Sequence, residues 1–139
     1  MKLRTPLAIL RRAGRRKHQG YPMGTVAFYG PDDCRASKVV AGVIFAEGSE
    51  PILQKWLSDS VDLRRDAPTL AAIIAFFNAH RVISVAFMER IIGCPHEEAV
   101  DYPEGTECPK CPFWHGRDRW AGVYERPEGI EPLGAANGG

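Results

Sequence analysis

Apolar residues come in short runs, and their period changes along the chain. Residues 25–29 (TVAFY) are β-branched and aromatic, and they stop at Gly30-Pro31-Asp32-Asp33, a strong turn signal. Residues 38–45 (KVVAGVIF) follow as an almost continuous apolar run, the mark of a central strand. Gly48 and Pro51 end it. Ile52, Leu53, Trp56 and Leu57 then fall on one face at helical spacing, which predicts a short helix over 52–57.

The clearest signal comes next. Asp66 can cap a helix, and Ala67 and Pro68 suit a first turn, where a missing amide costs little. Leu70, Ile73, Ile74 and Phe77 then line one face of a helix running to about His80. Arg81 complements the helix dipole there, and His80 reads as a helix-end residue rather than a ligand. Residues 82–88 (VISVAFM) form a third strand. This order predicts an α/β or α+β domain, a small three-stranded sheet with two helices. A helix between the second and third strands permits a parallel crossover.

From Ile92 onward the periodicity is lost. Gly93, Pro95, Pro103, Gly105, Pro109, Pro112 and Gly116 crowd a stretch that cannot bury a conventional core and needs a staple. Residues 121–139, rich in Gly, Pro, Glu and Ala, read as a disordered tail. The expected organisation is therefore a basic disordered tail at 1–22, one domain at 23–120 with a stapled module at 93–116, and the C-terminal tail.

Composition sharpens this picture. A chain of 139 residues with 45% hydrophobic and 25% charged residues suits one globular domain. No apolar run approaches the ~18 residues that span a bilayer, so no membrane role is expected. Arginines flank the short apolar patch at 6–10 and no secretory pattern follows, which makes the cytoplasm the expected setting. Lys2, Arg4, Arg11, Arg12, Arg15, Arg16 and Lys17 lie in the first twenty residues with no acid, leaving net −6 on the rest of a chain whose total is +1. Such a tail can track nucleic acid, or it can be a solvated leader to a body beginning at Met23.

The candidate chemistry sits in residues 93–115, GCPHEEAVDYPEGTECPKCPFWH. Cys94 and His96 precede a Cys108-x-x-Cys111 knuckle, and reduced cytosolic thiols clustered this way bind metal or act in redox chemistry. Zinc takes four soft or borderline donors in a tetrahedron, so Cys94, His96, Cys108 and Cys111 are the expected ligands of one structural zinc ion. Pro95 and Pro109 stiffen the two turns. The spacing is not that of a standard finger, and free thiols or redox use are the alternatives. His115 is the reserve ligand, and Cys34, alone after Asp32-Asp33, is expected to be a buried or half-buried thiol.

Two enzyme patterns compete. His96-Glu97-Glu98 followed by C-x-x-C is similar to a zinc deaminase signature, with Glu98 as the catalytic carboxylate. The short gap from Glu98 to Cys108, Glu107 in place of proline, and Cys94 as a fourth ligand all depart from it. Cys108-Pro109-Lys110-Cys111 has the form of a glutaredoxin-like site but lacks a following helix pattern. Glu97, Glu98, Asp101, Glu104 and Glu107 outnumber Lys110, so the module itself is a poor phosphate contact, leaving nucleic acid to the tail or to Arg117 and Arg119. Phe113, Trp114 and Trp120 are expected to anchor the metal loop onto the domain.

The stretches TVAFYGPDD, SKVV, IIGCPHEEAVDYPEG and CPKCPFWHGRDRW resemble a group of small, uncharacterised bacterial proteins over about residues 21–120. The resemblance implies a bacterial cytoplasmic setting, and that the GPDD turn and the Cys/His block belong together; it implies no activity. The residues point to a non-catalytic, zinc-stabilised interaction domain with a protein partner, or with nucleic acid through the basic tail. The alternative is a small metal-dependent hydrolase or deaminase-like enzyme using Glu97 or Glu98, with Asp32 and Asp33 as further carboxylates whose ordinary role is a turn.

Overall fold

Every second residue of β1 (Met23–Tyr29) is buried, because this strand has a neighbour on each side and helices over one face. The computed structural model describes residues 4–115. It has a four-stranded mixed sheet of order β3-β2-β1-β4, built from β2 (Lys38–Ile44), β3 (Ile52–Leu57) and β4 (Ser84–Ile91) around β1. β1 and β2 pair antiparallel from Met23↔Ile44 to Tyr29↔Lys38, and β2 and β3 pair antiparallel from Lys38↔Leu57 to Val43↔Ile52. β4 runs parallel to β1, joined through the crossover helix α2 (Ala67–Ala79). The mixed α/β expectation holds, with four strands rather than three. Among the described residues no helix is long and apolar enough to cross a membrane.

The predicted helix α2 forms as its sequence dictates. Asp66 caps it, accepting from the Thr69 hydroxyl at 2.6 Å and its amide at 3.4 Å. Leu70, Ile73 and Phe77 are buried and Ile74 is half-buried. At the far end Val82 N bonds Phe77 O and Arg81 N bonds Asn78 O, with Arg81 left-handed at φ 56°. That is a Schellman stop carried by an arginine rather than a glycine. His80 caps the helix and packs edge-on against Phe45 and Phe76, in keeping with a helix-end role. The Phe77 ring lies on β1 so closely that a Cβ on Gly24 would sit 2.7 Å from it. Glycine at 24 lets helix and strand approach.

Residues 52–57 are a strand, not the predicted helix. Ser49 closes the turn from Ala46, with Gly48 at φ +79°, and folds the chain back onto the edge of β2. A six-residue segment is too short to nucleate a helix against a ready ladder of backbone partners. The helical spacing of its apolar residues reports no burial, for only Trp56 is even half-buried.

The expected disordered tail at 1–22 is also corrected. Residues 6–15 form the helix α1 (Pro6–Arg15), capped by Thr5 Oγ1 accepting from Ala8 N at 3.2 Å. Leu7 and Leu10 join the core, and Gly14 passes so near β4 that a Cβ there would lie 3.0 Å from that of Phe87. Arg11 makes a two-pronged pair with Glu89 on β4, at 2.5 and 2.8 Å. The arginines had hidden an apolar stripe one turn wide. The expected tail at 121–139 lies outside the described residues.

A second polar joint fixes the loop before β2. Asp62 accepts from Ala36 N at 3.0 Å and from Arg64, whose guanidinium also reaches Cys34 O at 3.0 Å. Burial alone would raise the Asp62 carboxyl, but these hydrogen bonds outweigh it and hold it below its ordinary value.

Leu10→Ala should cost about 2–4 kcal/mol of stability, read by urea unfolding, whereas a loose leader would give no change. The Glu89 carboxyl is held low, chiefly by the hydrogen bond from Arg11. Its contribution is therefore complete above the ordinary carboxyl range, about 4.3, and is lost as pH falls through the depressed folded value. Glu89→Gln should flatten the decline of the melting temperature in acid, and an equal acid slope in both proteins would contradict the pairing.

Candidate metal centre

Where β4 ends, Ile92 N still bonds Phe28 O at 3.0 Å, and Gly30 N bonds Gly93 O at 2.9 Å. The ladder between β1 and β4 thus delivers the chain to Cys94 at the tip of the sheet, beside the Gly30–Asp33 turn. A Cβ on Gly30 would meet Arg35 O at 2.2 Å, so this turn tolerates only glycine. After Pro95 the chain doubles back, and His96 N points at Cys94 Sγ at 3.2 Å. Such an amide favours a thiolate over a thiol.

Four donors converge here. His96 Nδ1 lies 3.3 Å from Cys94 Sγ, 3.3 Å from Cys108 Sγ and 3.4 Å from Cys111 Sγ. All four donor atoms lie within 4.8 Å of one another. A tetrahedral zinc, with Zn–S about 2.3 Å and Zn–N about 2.0–2.1 Å, sets sulfur and nitrogen about 3.5 Å apart. The donor set and its spacing suit one metal ion such as zinc. Cys94, Cys108 and Cys111 are buried, at 6%, 6% and 1% exposure. Burial pushes the Cys94 thiol up, and burial with the neighbouring thiols pushes Cys111 further up. These two thiols are thus costly to ionise without a cation, so a metal bound here would displace their protons as it binds.

His115 stands apart from the donors. Its Nε2–H donates to Cys108 O at 2.6 Å, so it buttresses the knuckle from outside. The structure thus keeps the reserve ligand out of the cluster. Trp114 fulfils the anchoring expectation, since its indole donates to Gly30 O at 2.8 Å while its ring packs against both the main core and the cysteines. Phe113 meets that ring edge-on at 4.9 Å. Trp120, expected in the same role, lies outside the described residues, as do Arg117 and Arg119.

The carboxylates beside the cluster are engaged. Glu97 accepts from Lys55 at 2.7 Å and Lys38 at 3.1 Å, and these bonds, Lys55 first, hold its carboxyl below the ordinary value. Glu98 accepts from Gly105 N at 2.6 Å, and Asp101 from Glu97 N at 2.7 Å. Lys38 is the residue that sequence reasoning missed. It is 6% exposed, donates to Pro95 O at 3.0 Å, and lies 5.8 Å over the Tyr29 ring. A lysine opening an apolar strand gave no sign that it would be buried; the metal loop buries it. This cation and its shared carboxylate tie the loop to the sheet face that carries no helix among the described residues.

Cys34 is exposed, contrary to the buried thiol expected, because it sits on the outside of the turn. Asp32 caps that turn, accepting from Cys34 N at 2.9 Å. The carboxylates of Asp32, then Asp33, raise the Cys34 thiol, which makes it a poor nucleophile. Asp32, Asp33 and Cys34 could together face a cation, but this exposed group has the hydrogen bonds of a turn.

Cys94→Ala, His96→Ala, Cys108→Ser and Cys111→Ser should each strip the protein of stoichiometric metal, measured by elemental analysis after gel filtration. His115→Ala should retain it with weaker affinity. Equal metal content in the wild type and the Cys94→Ala variant would show the donors to be misassigned. No protein-family model, curated protein or solved structure matches this chain, so the cluster is read from its own chemistry as a site able to hold a metal ion.

Proposed function

We propose that the protein is a non-catalytic interaction domain whose last third is folded by one structural zinc ion on Cys94, His96, Cys108 and Cys111. The observation that carries this reading is the convergence of four protein donors, which around a zinc ion would complete a tetrahedron and leave no position for a reacting water. The hydrolase or deaminase-like alternative needs a carboxylate free to move a proton beside the metal. Glu97 is held by two lysines, and Glu98 by a backbone amide. The partner on this reading is another protein, in a bacterial cytoplasm.

X-ray absorption on the purified protein tests it. Zinc at one per chain, with three sulfurs at about 2.3 Å and one nitrogen at about 2.0–2.1 Å, is the expected result. A water or carboxylate in the shell favours the enzyme. A strong chelator should unfold at least the last third, because metal binding there is folding energy. An unchanged melting curve in chelator would sink the structural role.

A specific observation favours a second reading for α1. Arg4, Arg12, Arg15, Arg16 and Lys17 are exposed with no acid in the segment, giving an ordered basic surface that suits nucleic acid. A truncation at Met23 would also remove Leu10 from the core, so charge substitutions are the cleaner test. Replacing Arg12, Arg15 and Arg16 by glutamine should flatten the dependence of duplex affinity on salt. Each phosphate contact contributes about −0.9 to the slope of log affinity against log salt. Equal mobility-shift titrations for both proteins at low salt would leave α1 as a packing helix alone.

A further inference from the structure

The two edges of the sheet are built differently. β4 is guarded in the ways natural edges are. Its register with β1 shifts between Val26 and Phe28, it carries Glu89 and Arg90, and Arg64 reaches Glu89 O at 3.4 Å. β3 is more regular. Its ladder to β2 is unbroken from Val43↔Ile52 to Lys38↔Leu57, and it contains no proline. Its one charge, Lys55, is drawn to Glu97 at 2.7 Å. Ile52, Leu53 and Leu57 are exposed at 39%, 57% and 73%. Among the described residues β3 pairs with β2 alone, so its outer backbone groups face outward.

We infer that the β3 edge pairs antiparallel with β3 of a second copy, joining two sheets into one across a two-fold axis. The strand is self-complementary when centred on Gln54. An axis normal to the sheet keeps both copies' helices on one side, so only residues of like parity can face each other. Centring on Lys55 sets two ammonium groups opposite, which is unfavourable. Centring on Gln54 sets amide against amide, Ile52 against Trp56, and Leu53 against the aliphatic stem of Lys55. Like charges are then apart and the apolar pairs meet. This goes beyond the zinc reading, because the interface uses β3 and not the metal donors.

A six-residue edge buries less than a standard interface of about 1,600 Å², so association should depend on concentration. Sedimentation of the full-length, metal-loaded chain is therefore followed from about 1 to about 200 µM. The mass should rise from 15.4 kDa towards twice that value. Leu53→Lys, at an exposed position, should keep its metal content and remain a monomer. In a Cys34→Ser background, Gln54→Cys should form a disulfide-linked dimer on treatment with diamide, which takes up the two electrons and two protons released by the thiols. Facing Cα atoms in an antiparallel ladder lie about 4.5–5.5 Å apart, within disulfide reach. Leu57→Cys, far from its own copy in this register, should not. A monomer at every concentration overturns the proposal and leaves the edge to another occupant. So does a dimer unaffected by Leu53→Lys, or one cross-linked by Leu57→Cys and not by Gln54→Cys.

Discussion

Four donor atoms of the last third, Cys94, Cys108 and Cys111 Sγ and His96 Nδ1, meet within 4.8 Å of one another. Residues 93–115 contain no strand and only a single short 3-10 turn, and their buried hydrophobic cluster consists of three cysteines with Tyr102 and Trp114 at its border. Burial on that scale cannot offset the conformational entropy of ordering such a loop. Cys94, Cys108 and Cys111 converge on His96 Nδ1, and a metal ion held there would supply the missing constraint.

The rest of the molecule is arranged to receive that loop. The parallel pairing of β4 with β1 brings Gly93 beside Gly30, and the glycine turn leaves room for the chain to cross. Trp114 then spans the joint, bonded to Gly30 O and packed on the core. On the other side Lys38 and Lys55 share Glu97, and the Tyr29 ring lies under Lys38. These contacts come from the ends of β1, β2 and β3, so a disturbance of the metal loop reaches three strands at once. Both helices meanwhile lie on the opposite face, where Phe77 meets Gly24 and Gly14 meets Phe87. One face of the sheet is committed to the core. Among the described residues the loop of the metal site lies on the other.

The chemistry of the centre follows from the same economy. Three acids of the loop are used to hold it: Glu97 accepts from two lysines, Glu98 from Gly105 N and Asp101 from Glu97 N. His115, which could have competed for the ion, steadies Cys108 through its backbone.

The sequence by itself determined the features whose signals are local. Asp66, Pro68 and the stripe from Leu70 to Phe77 specify α2 within a residue of its ends, because caps and helical periodicity act over a few residues. Cys94, His96, Cys108 and Cys111 were legible as a donor set because turns stiffened by proline hold each pair close. The tertiary structure decided what depends on a distant partner. Ile52–Leu57 has helical spacing but becomes a strand because β2 offers a free ladder. α1 is ordered by packing against Phe87 and pairing with Glu89, 70 or more residues away in sequence, and the apolar stripe of Leu7 and Leu10 was hidden among arginines. Lys38 is buried only because Pro95 and Glu97 come to it, and Cys34 is exposed because the turn carries it outward. A short segment's own preference amounts to a few tenths of a kcal/mol per residue, so a single well-placed neighbour reverses it.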